Sequence, residues 1–189
     1  MIPELQSLCG LLSCVTARSD QYTHIQIKES DPLARLRSVV LTAPSNGDWF
    51  AFAPDKGRGK GGQMSPLLAA GQGFDHHRAC DAVIVTARGA DLLVLYVDLK
   101  SGNPSGYAGQ FKSTRQFLRY LMGLLDEFQG IRFNSLQERY IIFYGGRSPL
   151  LNKKPSVPKR GALADSRPDG AYKREVPNGA VIYLKEFLM

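Results

Sequence analysis

The sequence predicts a mixed α/β fold with a central sheet, helices on its faces and a β extension in its N-terminal part. Two observations carry this prediction. β-type and amphipathic helical segments alternate along the chain, and two adjacent runs are rich in Val, Ile and Leu on both faces, which is typical of strands in the middle of a sheet. The chain has 189 residues, 43% of them hydrophobic and 22% charged, so one ordered domain with a substantial core is expected.

Residues 1–63 are predicted to form a helix followed by the β extension. Leucines recur at helical spacing over residues 3–13. Three β-type segments follow, at 22–29, 37–44 and 48–54. The Asn46-Gly47 pair between the last two segments predicts a hairpin that joins them.

A glycine-rich basic stretch at 55–63 invites comparison with a phosphate-binding loop. The spacing does not fit, because no glycine stands five residues before Gly59, and Lys60 is followed by Gly61 instead of Ser or Thr. We interpret the stretch as a flexible basic loop, for which phosphate contact and simple solvation are equally compatible readings. A short helix is predicted over 65–72.

Residues 75–145 are predicted to form the core of the domain. Two apolar strands, 80–87 and 92–100, are separated by a tight turn and should pair as an antiparallel hairpin in the middle of the sheet. The clearest helical pattern follows at 110–129. Another buried strand is predicted at 138–145.

Residues 146–174 are predicted to be a long basic loop, because prolines and glycines interrupt any periodicity. Its cations outnumber its acids by eight to two and are Arg147, Lys153, Lys154, Lys159, Arg160, Arg167, Lys173 and Arg174. Such a segment suits an extended arm along a phosphate backbone or an acidic partner, and a solvated insertion is the alternative. An edge strand over 181–188 is predicted within the C-terminal segment 175–189.

The composition narrows the class of protein. Lys and Arg number 24 against 17 acids, a formal charge of +7 that favours an anionic partner, with nucleic acid the first candidate. Three cysteines without a Cys-x-x-Cys pair argue against a disulfide framework or a zinc ribbon. No apolar run approaches a membrane span, and the N-terminal stretch lacks a basic leader, so we expect a cytoplasmic protein without a membrane partner.

An acid and a base stand at the end of the second apolar strand. Asp98 and Lys100 are two residues apart and therefore project to the same side of the sheet. Asp81 opens the preceding strand, and hairpin pairing should bring it beside them. Two buried carboxylates are costly unless compensated, and Mg²⁺ or Mn²⁺ compensates well. Taken alone, the Asp98–Lys100 pair could equally be a surface ion pair.

Polar residues also share one face of the predicted helix. Gln116 and Tyr120 are four residues apart, and Lys112 lies one turn earlier. Arg115 and Arg119 form a neighbouring basic stripe. An ordinary amphipathic boundary would give the same spacing.

Together these motifs resemble the RecB-type branch of the PD-(D/E)XK nucleases. Asp81, Asp-x-Lys at 98–100 and Gln-x-x-x-Tyr at 116–120 follow one another across strand, strand and helix. YVDLKSGN is similar to a signature of that branch, with Leu99 in place of the usual aromatic residue. The resemblance covers about residues 75–145 and implies a restriction-endonuclease-like fold.

The resemblance implies an Mg²⁺- or Mn²⁺-dependent deoxyribonuclease, with endonuclease preferred over exonuclease. Asp81 and Asp98 would be metal ligands. Lys100 would orient the attacking water or stabilise charge that develops on the phosphate. Gln116 and Tyr120 would contact DNA or brace the metal shell.

The resemblance also implies an upstream histidine ligand. His76 and His77 both occupy that region, and the sequence does not choose between them. Arg78 stands where a glycine is common in this branch, and the helix-borne acid of many members is not identifiable, with Glu4 a remote candidate. The cysteines of iron–sulfur members are absent, so no cluster is expected.

DNA is the expected partner, in repair or antiviral defence. The candidate DNA-contacting residues are Lys112, Arg115, Arg119, Lys153, Lys154, Lys159 and Arg160. The alternative is a catalytically idle nucleic-acid-binding or interaction subunit of a larger complex. A purely protein-binding adaptor is a third possibility.

Overall fold

The computed structural model describes residues 1–57, 62–65, 67–69, 71, 73–102, 104–145 and 160–188. The strands are, in chain order, β1 (Val15–Arg18), β2 (His24–Lys28), β3 (Ser38–Thr42), β4 (Trp49–Phe52), β5 (Ala82–Arg88), β6 (Asp91–Lys100), β7 (Ser135–Gly145), β8 (Tyr172–Val176) and β9 (Ala180–Tyr183). The α-helices are α1 (Pro3–Gly10), α2 (Pro54–Gly57), α3 (Ala108–Gln129) and α4 (Arg160–Ala164). A 3₁₀ helix, Leu184–Phe187, follows β9.

The strands form a central mixed sheet and a small sheet. The central sheet has the order β1-β4-β5-β6-β7-β8, and the small sheet has the order β2-β3-β9. In the central sheet the neighbouring strands β1, β4, β5 and β6 pair antiparallel. β7 runs parallel to β6, and β8 runs parallel to β7. The predicted class, a mixed α/β fold with a central mixed sheet flanked by helices, is confirmed.

The two faces of the central sheet bury different partners. Residues such as Phe50, Val94 and Tyr96 pack against side chains of α1 and α3. Residues on the opposite face, such as Leu95 and Val97, pack against the small sheet and the C-terminal 3₁₀ helix. Because β5 and β6 are buried on both faces, their near-continuous apolar sequence is physically required.

The predicted central hairpin is confirmed. β5 pairs with β6 from Ala82 opposite Val97 to Arg88 opposite Asp91, so the tight turn lies where the sequence indicated it. Helix α3 follows close to the predicted bounds and ends at Gly130, whose φ of 64° is the left-handed conformation that glycine adopts without strain. The hairpin and α3 together place the start of β5 and the end of β6 against the first turns of the helix.

The hairpin predicted at Asn46-Gly47 is wrong. β3 pairs with β2 and β9, whereas β4 pairs with β1 and β5 in the other sheet. All four residues of β4 are buried, which only the covered central sheet can provide. The turn therefore passes the chain between sheets, and the Trp49 indole N–H fixes it by donating to the Pro44 carbonyl oxygen at 2.8 Å. β1 was not predicted.

The loop predicted over 146–174 is wrong for its last part. Residues 160–164 form α4, and residues 172–174 form the first part of β8, the last strand of the central sheet. The buried side chains of Leu163 and Val176 explain this order, because each contributes to the core beneath the small sheet. Residues 146–159, with Lys153, Lys154 and Lys159, lie outside the described residues.

The C-terminal segment is an edge strand only in its first half. β9 pairs in parallel with β3 at the edge of the small sheet, as predicted. The chain then turns into the 3₁₀ helix, because Leu184 and Phe187, three residues apart, both bury their side chains. The helix predicted at 65–72 lies partly outside the described residues, and none of its described positions is helical.

No helix within the described ranges is both long enough and apolar enough to cross a membrane.

Replacing Gly145 with Ala should destabilise the protein by about 1 to 3 kcal/mol. Gly145 ends β7 with a φ of 120°, and a Cβ there would lie 3.0 Å from the Val176 carbonyl oxygen. Chemical denaturation measures the change. Gly123→Ala is the matched control, because Gly123 lies in α3 with open space around it. Its replacement should increase the free energy of unfolding by about 0.5 to 1 kcal/mol. Equal effects at the two positions would contradict the assigned backbone at the end of β7.

Candidate functional site

Asp81, Asp98 and Lys100 meet at one end of the β5–β6 hairpin, as the sequence predicts. Ala82 pairs with Val97, so Asp81 faces the end of β6. The Leu99 backbone N–H donates to Oδ2 of Asp81 at 2.6 Å and fixes this carboxyl group beside its neighbour. The alternation of β6 points Asp98 and Lys100 to the face covered by α3, the same face that buries Val94 and Tyr96.

Lys100 is held by two partners. Its Nζ lies 2.6 Å from Oδ2 of Asp98, and it donates to Oε1 of Gln110 at 2.9 Å. The Lys100 side chain is 22% exposed, whereas that of Asp98 is 1% exposed. The site therefore presents an ammonium group to the outside and keeps one carboxylate beneath it.

Asp98 is buried without a complete set of hydrogen bonds. Among the described residues, neither of its side-chain oxygens receives a hydrogen bond of good geometry, although the Lys100 ammonium group neutralises Oδ2 at short range. A buried carboxylate oxygen without a donor costs free energy unless a cation or water satisfies it. The incomplete hydrogen bonding of this buried carboxylate is the strongest sign that the site could bind a cation.

The electrostatics of the pair agree with this view. Burial raises the pKa of Asp81 well above its usual range, and the negative charges of Asp98 and Glu29 raise it further. Burial also raises the pKa of Asp98, against the opposing effect of the Lys100 ammonium group. Two ionised carboxylates are therefore unfavourable here without an additional positive charge.

The two carboxylates fit a hard divalent cation. Within the described part of the chain no group of three or more His, Cys, Asp or Glu side chains is arranged to hold a metal ion. Mg²⁺ does not need such a group, because it binds through one or two carboxylates and keeps water and phosphate oxygens as its other ligands. Asp81 and Asp98 are the residues that would hold it.

The structure does not bring the two histidines to this pair. His76 Nε2 lies 2.8 Å from the Ala69 carbonyl oxygen, and its Nδ1 lies 3.1 Å from the carbonyl oxygen of Phe74. His77 Nδ1 accepts from the Met64 backbone N–H at 3.3 Å. These ring nitrogens face backbone groups of their own loop, and the described residues include no group of three His, Cys, Asp or Glu side chains that joins a histidine to Asp81 and Asp98. A histidine ligand remains a prediction from the resemblance alone.

Gln116 and Tyr120 lie on the outer face of α3, apart from the carboxylates. They line a groove of about 890 Å³ between α3 and described residues of the preceding loop (Met64, Ser65, Leu67, Leu68 and Phe74 to His76), which we call the α3 groove. Its lining is mainly apolar and includes Leu67, Leu68, Phe74 and Phe117.

One arginine of the predicted basic stripe on α3 forms an ion pair within the fold. Arg119 Nη2 lies 3.2 Å from Oε2 of Glu138. Arg115 is half-buried near the Tyr140 hydroxyl group. Lys112 differs, because it is exposed and lines the α3 groove. The side chain of the fourth predicted cation with a described backbone, Arg160, lies outside the described set.

Two residues at the site were missed by the sequence analysis. Gln110 contacts Lys100 because α3 begins at Ala108 and directs its first turn at the strand ends. Glu29 comes from the end of β2 in the small sheet, and its loop is held to β6 by the Leu36 N–H, which donates to the Ser101 hydroxyl oxygen at 3.0 Å. No local pattern marks either residue.

Comparisons of the chain with protein-family models, curated proteins and solved structures found no match. The site geometry bears on function directly. It offers two carboxylates for a hard cation beside a fixed ammonium group, a combination suited to phosphate chemistry.

Proposed function

We propose that the protein is an Mg²⁺- or Mn²⁺-dependent nuclease that hydrolyses DNA phosphodiester bonds, acting as an endonuclease. The observation that carries the proposal is the cluster of Asp81, Asp98 and Lys100, in which the buried Asp98 carboxylate has one ammonium group beside it and an incomplete set of hydrogen bonds among the described residues. The order of the motifs across β5, β6 and α3 supports it, since the resemblance to PD-(D/E)XK nucleases implies that order. A restriction-endonuclease-like fold and a cytoplasmic location belong to the same proposal.

Each residue of the cluster has a role in this proposal. Asp81 and Asp98 would hold the metal ion, which when bound lowers the pKa of water and offsets charge on a phosphate group. Lys100 supplies positive charge that is fixed in advance by Asp98 and Gln110, so it needs no reorganisation when the phosphate becomes more negative.

DNA contacts are assigned beyond the cluster. Gln116, Tyr120 and Lys112 line the α3 groove and would contact the nucleic acid there. Arg115, Arg119 and the cations of the segment 146–174 would add phosphate contacts, of which Lys153, Lys154, Lys159 and Arg160 are the proposed set. A chain with a formal charge of +7 is suited to such a partner.

A cleavage assay tests the proposal. Single-stranded DNA, duplex DNA and RNA are incubated with the wild-type protein and with Asp98→Asn, in Mg²⁺, Mn²⁺ or a chelator. We expect DNA cleavage by the wild type with either metal, none with the chelator and none by the variant. Cleavage that survives the chelator or Asp98→Asn would exclude the assigned site, and absence of cleavage under every condition would exclude a nuclease.

One observation favours a second candidate, a catalytically idle binding subunit. Lys100 already neutralises the buried Asp98 carboxylate, so the cluster is tolerable as a structural ion pair. This candidate predicts nucleic-acid or protein binding with no metal bound at Asp81 and Asp98. A metal titration therefore separates the two functions.

A further inference from the structure

The α3 groove presents flat aromatic side chains to solvent beside the candidate site. Phe74 is 67% exposed and Tyr120 is 62% exposed, from opposite walls of the same groove. We infer that this groove binds single-stranded DNA, with bases stacked on Phe74 and Tyr120 and phosphates near Lys112. The inference rests on the proposed nuclease function and names the form of DNA that the site receives.

The aromatic wall of the groove is held in place. The Phe74 ring lies with its centroid 4.4 Å from that of His76, which lies 4.0 Å from that of His77. The Ser113 hydroxyl group donates to the His76 carbonyl oxygen at 2.6 Å and ties this segment to α3. A Cβ on Gly109 would overlap the Asp75 side chain, so the glycine permits the close approach. A platform fixed in this way loses little conformational entropy when a base stacks on it.

The groove adjoins the candidate metal site. Gly109 lines the groove, and the next residue, Gln110, contacts Lys100. Ser113 also lines the groove, and the next residue, Thr114, accepts a hydrogen bond from the backbone N–H of Cys80, the neighbour of Asp81. A strand lying in the groove would therefore lie along the same turns of α3 that contact Lys100 and the segment before β5.

The charge of the groove suits a polyanion. Lys112 is exposed on its wall. Asp75 also lines the groove, and its carboxylate is paired with Arg78 Nε at 3.0 Å. The aromatic and apolar walls would bind the bases, and the cation would bind the backbone. This division is typical of proteins that bind single strands.

Unpaired bases match the groove better than a duplex or an apolar peptide. In a duplex the faces of the bases are covered by neighbouring base pairs, so they are not free to stack on side chains. A single strand exposes these faces, and stacking requires a ring instead of a merely apolar side chain. An apolar peptide would accept leucine in place of either aromatic residue. The experiment therefore compares leucine with the aromatic rings at positions 74 and 120.

Fluorescence anisotropy with a labelled thymidine oligonucleotide in chelator measures binding without cleavage. The double variant Phe74→Leu, Tyr120→Leu keeps apolar surface and removes both rings, and we expect its affinity to fall about ten-fold or more. Tyr120→Phe keeps the ring and should bind as the wild type does. Phe128→Leu is the matched control, because Phe128 lies on α3 with 78% exposure and does not line the groove. Its binding should not change.

The outcomes separate this inference from the proposed function. Unchanged affinity in the double leucine variant overturns the inference and assigns the groove to an apolar protein partner. Duplex DNA that competes as well as single-stranded DNA also overturns it.

The cleavage outcomes test the inference and the proposed function separately. If the protein cleaves duplex DNA and the groove variants do not change that cleavage, the inference is overturned and the proposed nuclease function is retained. Ring-dependent binding of single strands without cleavage in any metal supports the groove and excludes the nuclease. The substituted side chains are exposed, so thermal unfolding should confirm intact folds.

Discussion

Replacing Lys100 with Met is expected to reduce DNA cleavage by about 10²- to 10³-fold, the effect of removing one fixed electrostatic group from a catalytic site. Methionine keeps the length of the side chain and removes the charge that Asp98 and Gln110 hold in place. Metal binding should be retained, because loss of a neighbouring cation leaves more negative charge at the carboxylate pair. Single-turnover cleavage at saturating Mg²⁺ measures the loss, and calorimetry checks the metal.

The matched control for this variant is Lys185→Met. Lys185 is an exposed lysine that lies over the Tyr183 ring, outside the cluster at the end of the β5–β6 hairpin. Its replacement should leave cleavage unchanged. Equal losses in both variants would mean that overall charge, and not the position of Lys100, controls the reaction. Full activity in Lys100→Met would remove Lys100 from the proposed site.

Replacing Asp81 with Asn is expected to raise the free energy of unfolding in chelator by about 1 to 3 kcal/mol, because it removes one of two neighbouring like charges, the other of which, on Asp98, is buried. An Asn carbonyl oxygen can still accept the hydrogen bond from the Leu99 N–H. The wild type should gain stability from Mn²⁺, and the variant should gain none. Denaturation with and without metal measures both effects. Asp91→Asn is the control, since Asp91 is exposed at the other end of the same hairpin.

The pH dependence of this difference has a definite sign. Burial raises the pKa of Asp81 in the folded state, so the folded protein releases its proton at higher pH than the unfolded chain does. The stability of the metal-free wild type therefore falls as pH rises from the unfolded carboxyl pKa of about 3.9 to the folded pKa. The advantage of Asp81→Asn should be absent at the acidic end and complete above the folded pKa. An advantage that does not change with pH would contradict an electrostatic cause.

The centre of the fold could be predicted from the sequence, because strands that are buried on both faces have continuous apolar runs. The apolar runs of β5 and β6 are stable only where both faces of a strand are buried, which is the middle of a covered sheet. The pairing of these two strands then places Asp81 beside Asp98. The Asn46-Gly47 turn misled because its local geometry suits a hairpin, whereas the full burial of β4 required the central sheet. Tertiary burial overrode the local turn preference.

The rest of the site depends on contacts between distant segments. Gln110 meets Lys100 because of where α3 starts, which helical periodicity does not specify to the residue. Glu29 approaches the cluster from the small sheet, whose strand order joins residues far apart in sequence. The α3 groove likewise requires described loop residues such as Leu67, Leu68 and Phe74 to lie over α3. The spacing of residues along one helix or strand does not specify contacts between different elements.

Calorimetric titration of Mn²⁺ into the wild type and into Asp98→Asn tests the central claim most directly, namely that Asp81 and Asp98 form a metal site. We predict a single saturable binding event in the wild type and none in the variant, with both proteins folded by circular dichroism. Heats that are the same in the two proteins, or a folded wild type that binds no Mn²⁺, would contradict the claim and leave the cluster as a structural ion pair.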